Sequence, residues 1–465
     1  MASSNIKRDP MSGGYSSKGT WSFWIKVAEP NASTNQGIFQ IRKGNSYANS
    51  RLRIYLDTNK LSFELKDSGG SDDSFFKTNA TLSDVAAWYH ICLSYDSTLG
   101  TASERLKMWI NGKDVRTEYG GFGSDDQVGS GFQYLASSDM YIALGSVDEN
   151  NGVTSYFNGC MAECYFVYDS TYDVSTFGET DSTTGIWKPK VDISTGITFG
   201  SQGFYFAFTN SADMKADSSG NSNTYTYSGT VTQTKDCPDS NMSSMNPSSN
   251  FWSNFTFSNA NNSVVSGSSG YYSPITSTLG FLPTTGKYYT EVKFDTASTT
   301  VYSFIGITGS LISENNKNIG GRTYGYAYAY NGQKYNNNSG SSYGNGYVEG
   351  DIIGIAVDAT NSKIYFSKNG TWQNSGNPES GSTGTGAAFT ISTTPTQGFY
   401  FFGCSDDNNG TGTSAWSWNF GSGYFGTTAI TTNSGNGYKG AEGASKFNYS
   451  VPSGYSALNT KGLNT

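Results

Sequence analysis

The chain has no cluster of lysine and arginine, a single histidine, and no apolar run long enough to span a bilayer. Each shortage narrows the function. Phosphate backbones call for a basic face, whereas this chain has 29 basic against 37 acidic residues, a net charge of −8 and a pI near 4.8. Nucleic acid is therefore not expected as a partner, and the acidity reads as solubility. A Ser-His-Asp or Cys-His centre would have to use His90, in Trp88-Tyr-His-Ile. A lone histidine within a strand, between aromatics, with no triad partners in sight, reads as a packed residue. The same count rules out a zinc site built on histidine or cysteine. Cysteine is sparse and odd in number: Cys92, Cys160, Cys164, Cys237 and Cys404. Cys160 and Cys164 would lie about 13 Å apart on an extended strand, too far for a disulfide. We read all five as reduced thiols, in keeping with assembly in a cytosol. Met1-Ala-Ser-Ser-Asn-Ile-Lys-Arg has no apolar core of an export signal. No membrane insertion is expected.

Charged residues are only 14% of the chain, and no stretch shows a helical period. What is abundant is Gly (57), Tyr (33) and Phe (28). That mixture favours short strands and tight turns, with aromatic rings filling the core. Two segments make the case. Leu106-Lys-Met-Trp-Ile-Asn-Gly-Lys-Asp-Val115 and Lys363-Ile-Tyr-Phe-Ser-Lys-Asn-Gly-Thr-Trp372 both run an apolar strand into Asn-Gly and out again. Asn-Gly supplies the two positive φ angles of a type I′ hairpin. Each segment follows another strand ending at an aspartate, Trp88–Asp96 and Gly350–Asp358. The fold class expected is all-β, with two antiparallel sandwiches in tandem: residues 1–200, a Ser/Asn-rich bridge over 201–245, and residues 246–465 with a C-terminal tail.

The first half resembles the laminin-G-like, concanavalin A-like sandwiches. The resemblance rests on Gly19-Thr-Trp-Ser-Phe-Trp-Ile-Lys26, Trp88-Tyr-His-Ile91, the first hairpin, and Phe157-Asn-Gly-Cys-Met-Ala-Glu-Cys-Tyr-Phe166. The second half resembles the SPRY (B30.2-like) sandwich. It carries Gly286-Lys-Tyr-Tyr-Thr-Glu-Val292, Phe304-Ile-Gly-Ile307, Gly350-Asp-Ile-Ile-Gly-Ile-Ala-Val-Asp358 and the second hairpin, in that family's order. The segments Phe177–Lys190, Gly203–Phe208 with Asp217-Ser-Ser-Gly-Asn221, and the tail Asn419–Thr460 resemble the stretches C-terminal to these sandwiches in bacteriophage structural proteins.

The resemblance to the concanavalin A-like group raises two chemistries. Related glucanases carry a Glu-x-Asp-x-x-Glu strand. Here Glu179-Thr-Asp181 starts that pattern without a second Glu, and neither Glu163 nor Glu291 fits it. We read these as rim or strand-face acids and expect no catalysis. Laminin-G-like sandwiches can also hold one Ca2+ at a rim, and the resemblance makes Asp125, Asp126, Asp148 and Glu149 the candidate ligands. Glycine runs at Gly320-Gly-Arg-Thr323 and from Gly325 lack the helix and the Lys-Ser/Thr pair of a phosphate loop.

One surface is suggestive. Tyr324 to Tyr347 is built of Tyr, Ser, Gly and Asn, the residues paratopes use. Tyr324, Tyr326, Tyr328 and Tyr330 alternate and read as a core face; Asn331 to Gly346 reads as exposed. Tyr335, Asn336, Asn337, Tyr343 and Tyr347 are the candidate ligand-binding residues. Together these readings imply a non-enzymatic surface protein of a phage virion (fibre, spike or head decoration) that binds a host-surface glycan or protein, or neighbouring virion proteins. A symmetric homo-oligomer is expected, a trimer first. The sandwich pattern begins almost at the N-terminus, which favours a compact decoration or adaptor over a fibre with a separate anchor. The alternatives are a structural assembly protein without ligand and a polysaccharide depolymerase.

Overall fold

The computed structural model describes residues 4–9, 14–43, 51–66, 73–125, 127–134, 140–149, 154–190, 193–250, 255–267, 274–297, 303–310, 317–406, 413–430 and 436–464. They form two compact units, Met1–Gln233 and Thr234–Thr465. Both are antiparallel sandwiches. Among the described residues the one α-helix is Val115–Glu118, and no helix is long and apolar enough to cross a membrane.

In the first unit, strand alternation does the sorting. Along Lys18–Val27, Trp21, Phe23, Ile25 and Val27 enter the core while Ser22 and Trp24 face outward. This strand is central to a sheet running Phe204–Phe206, Gly159–Tyr168, Lys18–Val27, Tyr89–Asp96, Leu106–Ile110, Lys113–Asp114. The opposing sheet runs Phe122–Asp125, Asp73–Thr81, Lys60–Lys66, Arg51–Asp57, Gln36–Lys43, Met140–Leu144, Asn5–Arg8, Thr226–Ser228. Aromatic rings fill the gap, with Trp21 stacked on Phe166 at 5.5 Å and 14°.

Much of the segment expected as a bridge belongs to this unit. Phe204–Phe206 forms the edge of the sheet containing Lys18–Val27, paired with Gly159–Tyr168, and Thr226–Ser228 pairs with Asn5–Arg8. The Asp217-Ser-Ser-Gly-Asn221 motif is a built corner. The Asp217 carboxylate accepts the N–H groups of Tyr205 (3.1 Å) and Ser219 (2.9 Å), and the Asn221 amide donates to Gly200 O (2.6 Å) and Gly203 O (2.9 Å). Polar composition here marks side chains that replace strand partners, not free loop.

Both Asn-Gly hairpins form as expected. Asn111 and Gly112 have φ of 50° and 77°, Asn369 and Gly370 of 49° and 81°. They join Leu106–Ile110 to Lys113–Asp114 and Lys363–Lys368 to Thr371–Trp372.

In the second unit one sheet is ordered Ile275–Thr276, Phe401–Asp406, Ser303–Thr308, Gly325–Ala329, Gln333–Asn336, Ser339–Ser342. The other has Thr256–Ser258, Ser263–Val265, Ser414–Asn419, Lys287–Ala297, Ile352–Asp358, Lys363–Lys368 and Thr371–Trp372 along its path. Tyr326 and Tyr328 face the core, as their alternation implied. The C-terminal segment lies against the outer face of this second sheet. Phe447, Tyr455 and Ala457 pack there on Tyr289, Ala356 and Tyr365. Ser456–Ala457 adds a short parallel strand beside Lys287–Ala297.

A buried carboxylate fixes that tail. Glu291 is fully buried and accepts four hydrogen bonds: from the N–H groups of Asn448 (2.8 Å) and Tyr449 (2.7 Å), the Tyr289 hydroxyl (3.1 Å) and the Asn419 amide (3.4 Å). Burial pushes its pKa up, against those bonds, to about 7. Glu291→Gln keeps the shape but turns an amide NH2 toward one of two backbone donors. We predict a loss of about 1–3 kcal/mol and new protease sensitivity after Tyr438, read by denaturant melts and mass-mapped limited proteolysis. An unchanged cleavage pattern would show that the carboxylate does not hold the tail.

Candidate functional site

The outer face of the shorter sheet in the first unit carries an aromatic-imidazole stack. Outward-facing Trp24 lies in register with His90 on the neighbouring strand, and their rings stack at 4.9 Å and 22°. Trp187 lies near-parallel to the same imidazole, with ring centroids 5.9 Å apart and 23° between planes. It arrives on the hairpin Gly178–Thr180/Trp187–Pro189. Asp181 shapes that turn by accepting the N–H groups of Thr183 (3.0 Å) and Thr184 (2.9 Å), and Lys188 lies 3.0 Å from Asp181 and 3.7 Å from Glu179.

Hydrogen bonds set the imidazole's state. The indole N–H of Trp187 donates to His90 Nδ1 at 2.9 Å, so Nδ1 is the acceptor. Nε2 then carries the proton and faces Ser22 Oγ at 2.8 Å. Burial alone drives the His90 pKa down to about 3. The ring is buried and neutral, with both nitrogens engaged.

Two glycines let the indole sit there. A Cβ on Gly178 would lie 2.4 Å from Trp187, and one on Gly112 2.5 Å from it. Asn111 links the first hairpin to the stack. Its Oδ1 accepts the His90 N–H at 2.8 Å, and its own N–H donates to His90 O at 2.8 Å. Beside the half-buried Trp187 lies an open cleft of about 340 Å³, lined by Asn111, Gly112, Lys113, Tyr119, Thr180, Gly185 and Trp187. Its lining sets the Trp187 ring beside several polar groups.

The residues proposed from sequence lie elsewhere. Tyr343 and Tyr347 are 7% and 2% exposed and belong to the second unit's core, which corrects the expectation that their segment presents them. Their hydroxyls reach Gly386 O at 3.2 Å and Ser303 O at 2.9 Å, so each ring buries without stranding its polar atom. Tyr335 is half-buried, edge-on to Phe304 at 5.2 Å. Asn336 uses its amide on Thr323 O and Gly325 O, both at 2.9 Å. Asn337 is exposed and supplies a turn, with φ of 48°.

The calcium candidates do not assemble as expected. Asp148 accepts from the Tyr141 hydroxyl, Thr154 Oγ1 (2.7 Å) and Gln40 Nε2 (2.9 Å), with Arg42 at 3.5 Å. Burial works against its charge, yet these bonds hold its pKa below the usual carboxylate range. Glu149 accepts from Asn35 at 2.9 Å and lies 3.4 Å from Arg53. Guanidinium groups thus stand where a cation would. Asp125 ends the edge strand Phe122–Asp125, and Asp126 lies outside the described residues. Among the described residues no group of three or more His, Cys, Asp or Glu side chains is placed to hold a metal. Glu163, at φ of 47°, accepts from Tyr165 (2.9 Å) and Tyr205 (2.7 Å).

Residues 4–171 match the concanavalin A-like lectin/glucanases superfamily, in its laminin G form, and residues 287–415 match the SPRY domain. The chain thus carries one stretch that matches a concanavalin A-like domain and, after it, one that matches a SPRY domain. Among solved structures, the SPRY domain of human HERC1 shares 15% identity and a TM-score of 0.30, over 37% of this chain and 96% of that one. The carbohydrate-binding module CBM40 of the Ruminococcus gnavus IT-sialidase, bound to α2,3-sialyllactose, shares 12% and 0.25, over 36% and 93%. Stonustoxin shares 16% and 0.28, over 39% and 27%. What each of these binds belongs to that protein. No curated protein matches the sequence.

Two of the buried titratable groups, His90 and Glu291, act in opposite directions. His90 has a folded pKa below its unfolded value of about 6.5, so the unfolded chain takes the proton first. The concanavalin A-like domain therefore loses stability as pH falls from about 6.5 toward 3, by roughly 3–5 kcal/mol in the limit. Glu291 has a folded pKa above its unfolded value, so the SPRY domain gains stability from it as pH falls from about 7 to 4.5, by roughly 3 kcal/mol. Calorimetry of the full chain between pH 7 and 5 should show the two transitions moving in opposite directions, with His90→Phe flattening the first. Parallel movement would contradict the assignment. Gly178→Ala should displace Trp187, redden its fluorescence and cost about 1–3 kcal/mol.

Proposed function

We propose that this protein is a non-enzymatic interaction protein that binds a host-surface glycan through the cleft beside Trp187. We propose further that it is carried on a phage virion as a surface component, a decoration or adaptor first and a fibre or spike second. The observation that carries the binding role is the anchored indole. A sugar ring has an apolar face of C–H groups and a rim of hydroxyls. It is suited by a fixed aromatic plane with hydrogen-bonding groups beside it. Trp187 is such a plane, held by His90 and flanked by Asn111, Lys113, Tyr119 and Thr180. Its place on a concanavalin A-like sheet, a fold that serves lectins as well as glycosidases, supports the reading.

The virion context is supported by sequence resemblance in the segments after each sandwich. In the first, those residues form the Trp187 hairpin and the Asp217 corner. The sealed, neutral His90 favours binding over hydrolysis at this cleft. In a purely structural assembly protein the cleft would instead be covered by a neighbouring copy or another virion protein.

The test is a glycan array with whole-cell binding of the purified chain. Trp187→Ala should weaken glycan binding by at least about 30-fold, the scale of a buried aromatic anchor. Thr180→Glu, at an exposed position on the cleft wall, replaces a hydroxyl by a longer acceptor-only group and should block binding without lowering the melting temperature. A well-folded chain that binds no glycan and no cell would sink the adhesive reading.

A further inference from the structure

We infer that the ligand of the Trp187 cleft is an anionic saccharide, one presenting a carboxylate or phosphate, and that Lys113 receives the anion. This rests on the glycan-binding reading and names the chemistry of that same cleft. The polar groups already in use decide which remain for a ligand. Trp187 has its one donor on His90. Asn111 has its carbonyl oxygen on the His90 N–H, and because a backbone N–H can only be met by oxygen, the amide orientation is fixed. The Nδ2 group is therefore a donor that no described residue engages. The Thr180 hydroxyl is likewise unengaged among the described residues, and the side chain is exposed. Lys113 is exposed and, among the described residues, makes no ion pair.

The acids around it are largely occupied. Glu179 and Asp181 share Lys188. Asp114 accepts the Arg116 N–H at 2.7 Å as the cap of its helix. The cleft thus has two unused donor-only groups, the Asn111 NH2 and the Lys113 ammonium, one of them a full positive charge, and one hydroxyl that can donate or accept. A neutral sugar offers hydroxyls, which donate as well as accept; a carboxylate or phosphate offers oxygens that only accept. The anion fits the donor excess better, with the ring on the Trp187 side and the charge toward Lys113 and Thr180. One opposing charge is present. Glu118, beside the cleft residue Tyr119, has no ion pair among the described residues, and it directs the anion to the Lys113 side.

Titration calorimetry would compare three matched oligosaccharides: one neutral, one with a terminal uronate or sialate, and one with a terminal sugar phosphate. We expect an anionic form to bind roughly ten-fold tighter than the neutral one, as a charge-assisted hydrogen bond warrants. That ratio should shrink as salt rises from 50 to roughly 500 mM, because the pair is exposed. It should fall toward one in Lys113→Ala, persist in Lys113→Arg, and rise about two-fold in Glu118→Gln. The better of the two anionic arms identifies the anion. Equal affinity for neutral and anionic forms, or a preference insensitive to Lys113, would overturn this inference and leave the glycan reading standing. Binding to none of the three, nor to any glycan on the array, would overturn both.

Discussion

A neutral imidazole stacked on one indole and hydrogen-bonded to another is the constraint on which the rest of the first domain's outer face depends. Burying a charged ring there would cost several kcal/mol, so His90 stays uncharged and its two nitrogens take opposite roles. One donates toward Ser22 Oγ and one accepts from Trp187. That division decides where Trp187 sits, because its single N–H is spent on His90 Nδ1. The hairpin carrying Trp187 is positioned by a hydrogen bond to a residue 97 positions earlier, and the cleft exists because the hairpin stands there. Two positions without a Cβ, Gly112 and Gly178, give the indole its space.

The second domain meets the same problem with a carboxylate. Glu291 is sealed as completely as His90, but four donors surround it, two of them backbone N–H groups of the C-terminal segment. A histidine can be made neutral and keep both of its bonds. A glutamate serves two backbone donors best as an acceptor on both oxygens, so the opposition between burial and hydrogen bonding brings its titration near neutrality. The tail is tied by a group close to changing its charge, whereas the Trp187 hairpin is tied by one that keeps its charge state over the physiological range.

These arrangements explain what was legible in the sequence. The hairpins were, because Asn-Gly demands two positive φ angles and few other pairs supply them cheaply. The sandwich pattern was, because Trp21, Phe23, Ile25 and Val27 alternate with outward residues. Tyr343 and Tyr347 were misleading. Their neighbours are exposed Gly and Asn, yet each ring turns inward, since a tyrosine buries well wherever its hydroxyl finds a carbonyl. Composition records neither fact. Asp148 and Glu149 were misleading in another way: acids in polar segments suit calcium or arginine equally, and Arg42 and Arg53 come from strands far away in sequence. The Asp217 corner read as loop because side-chain bonds to backbone leave no periodicity.

The cleft was not legible at all, and the reason is specific. Its residues come from two hairpins and from Tyr119 at the end of the short helix, and each has a sufficient local explanation. Asn111 is a turn residue, Gly178 a strand glycine, Trp187 an aromatic among polar neighbours. Only the pairing of functions shows the site. The Asn111 backbone makes the turn while its carbonyl oxygen meets His90, and that bond is what leaves its NH2 facing the cleft. A serine at that position would shorten the reach to His90 and remove the donor; an aspartate would meet the N–H but put an acceptor and a negative charge where the NH2 stands. Gly112 next to it meets two demands at once, positive φ for the turn and no Cβ for the indole. The commonest hairpin dipeptide is here also the floor of the Trp187 cleft, which is why its local meaning concealed its second one.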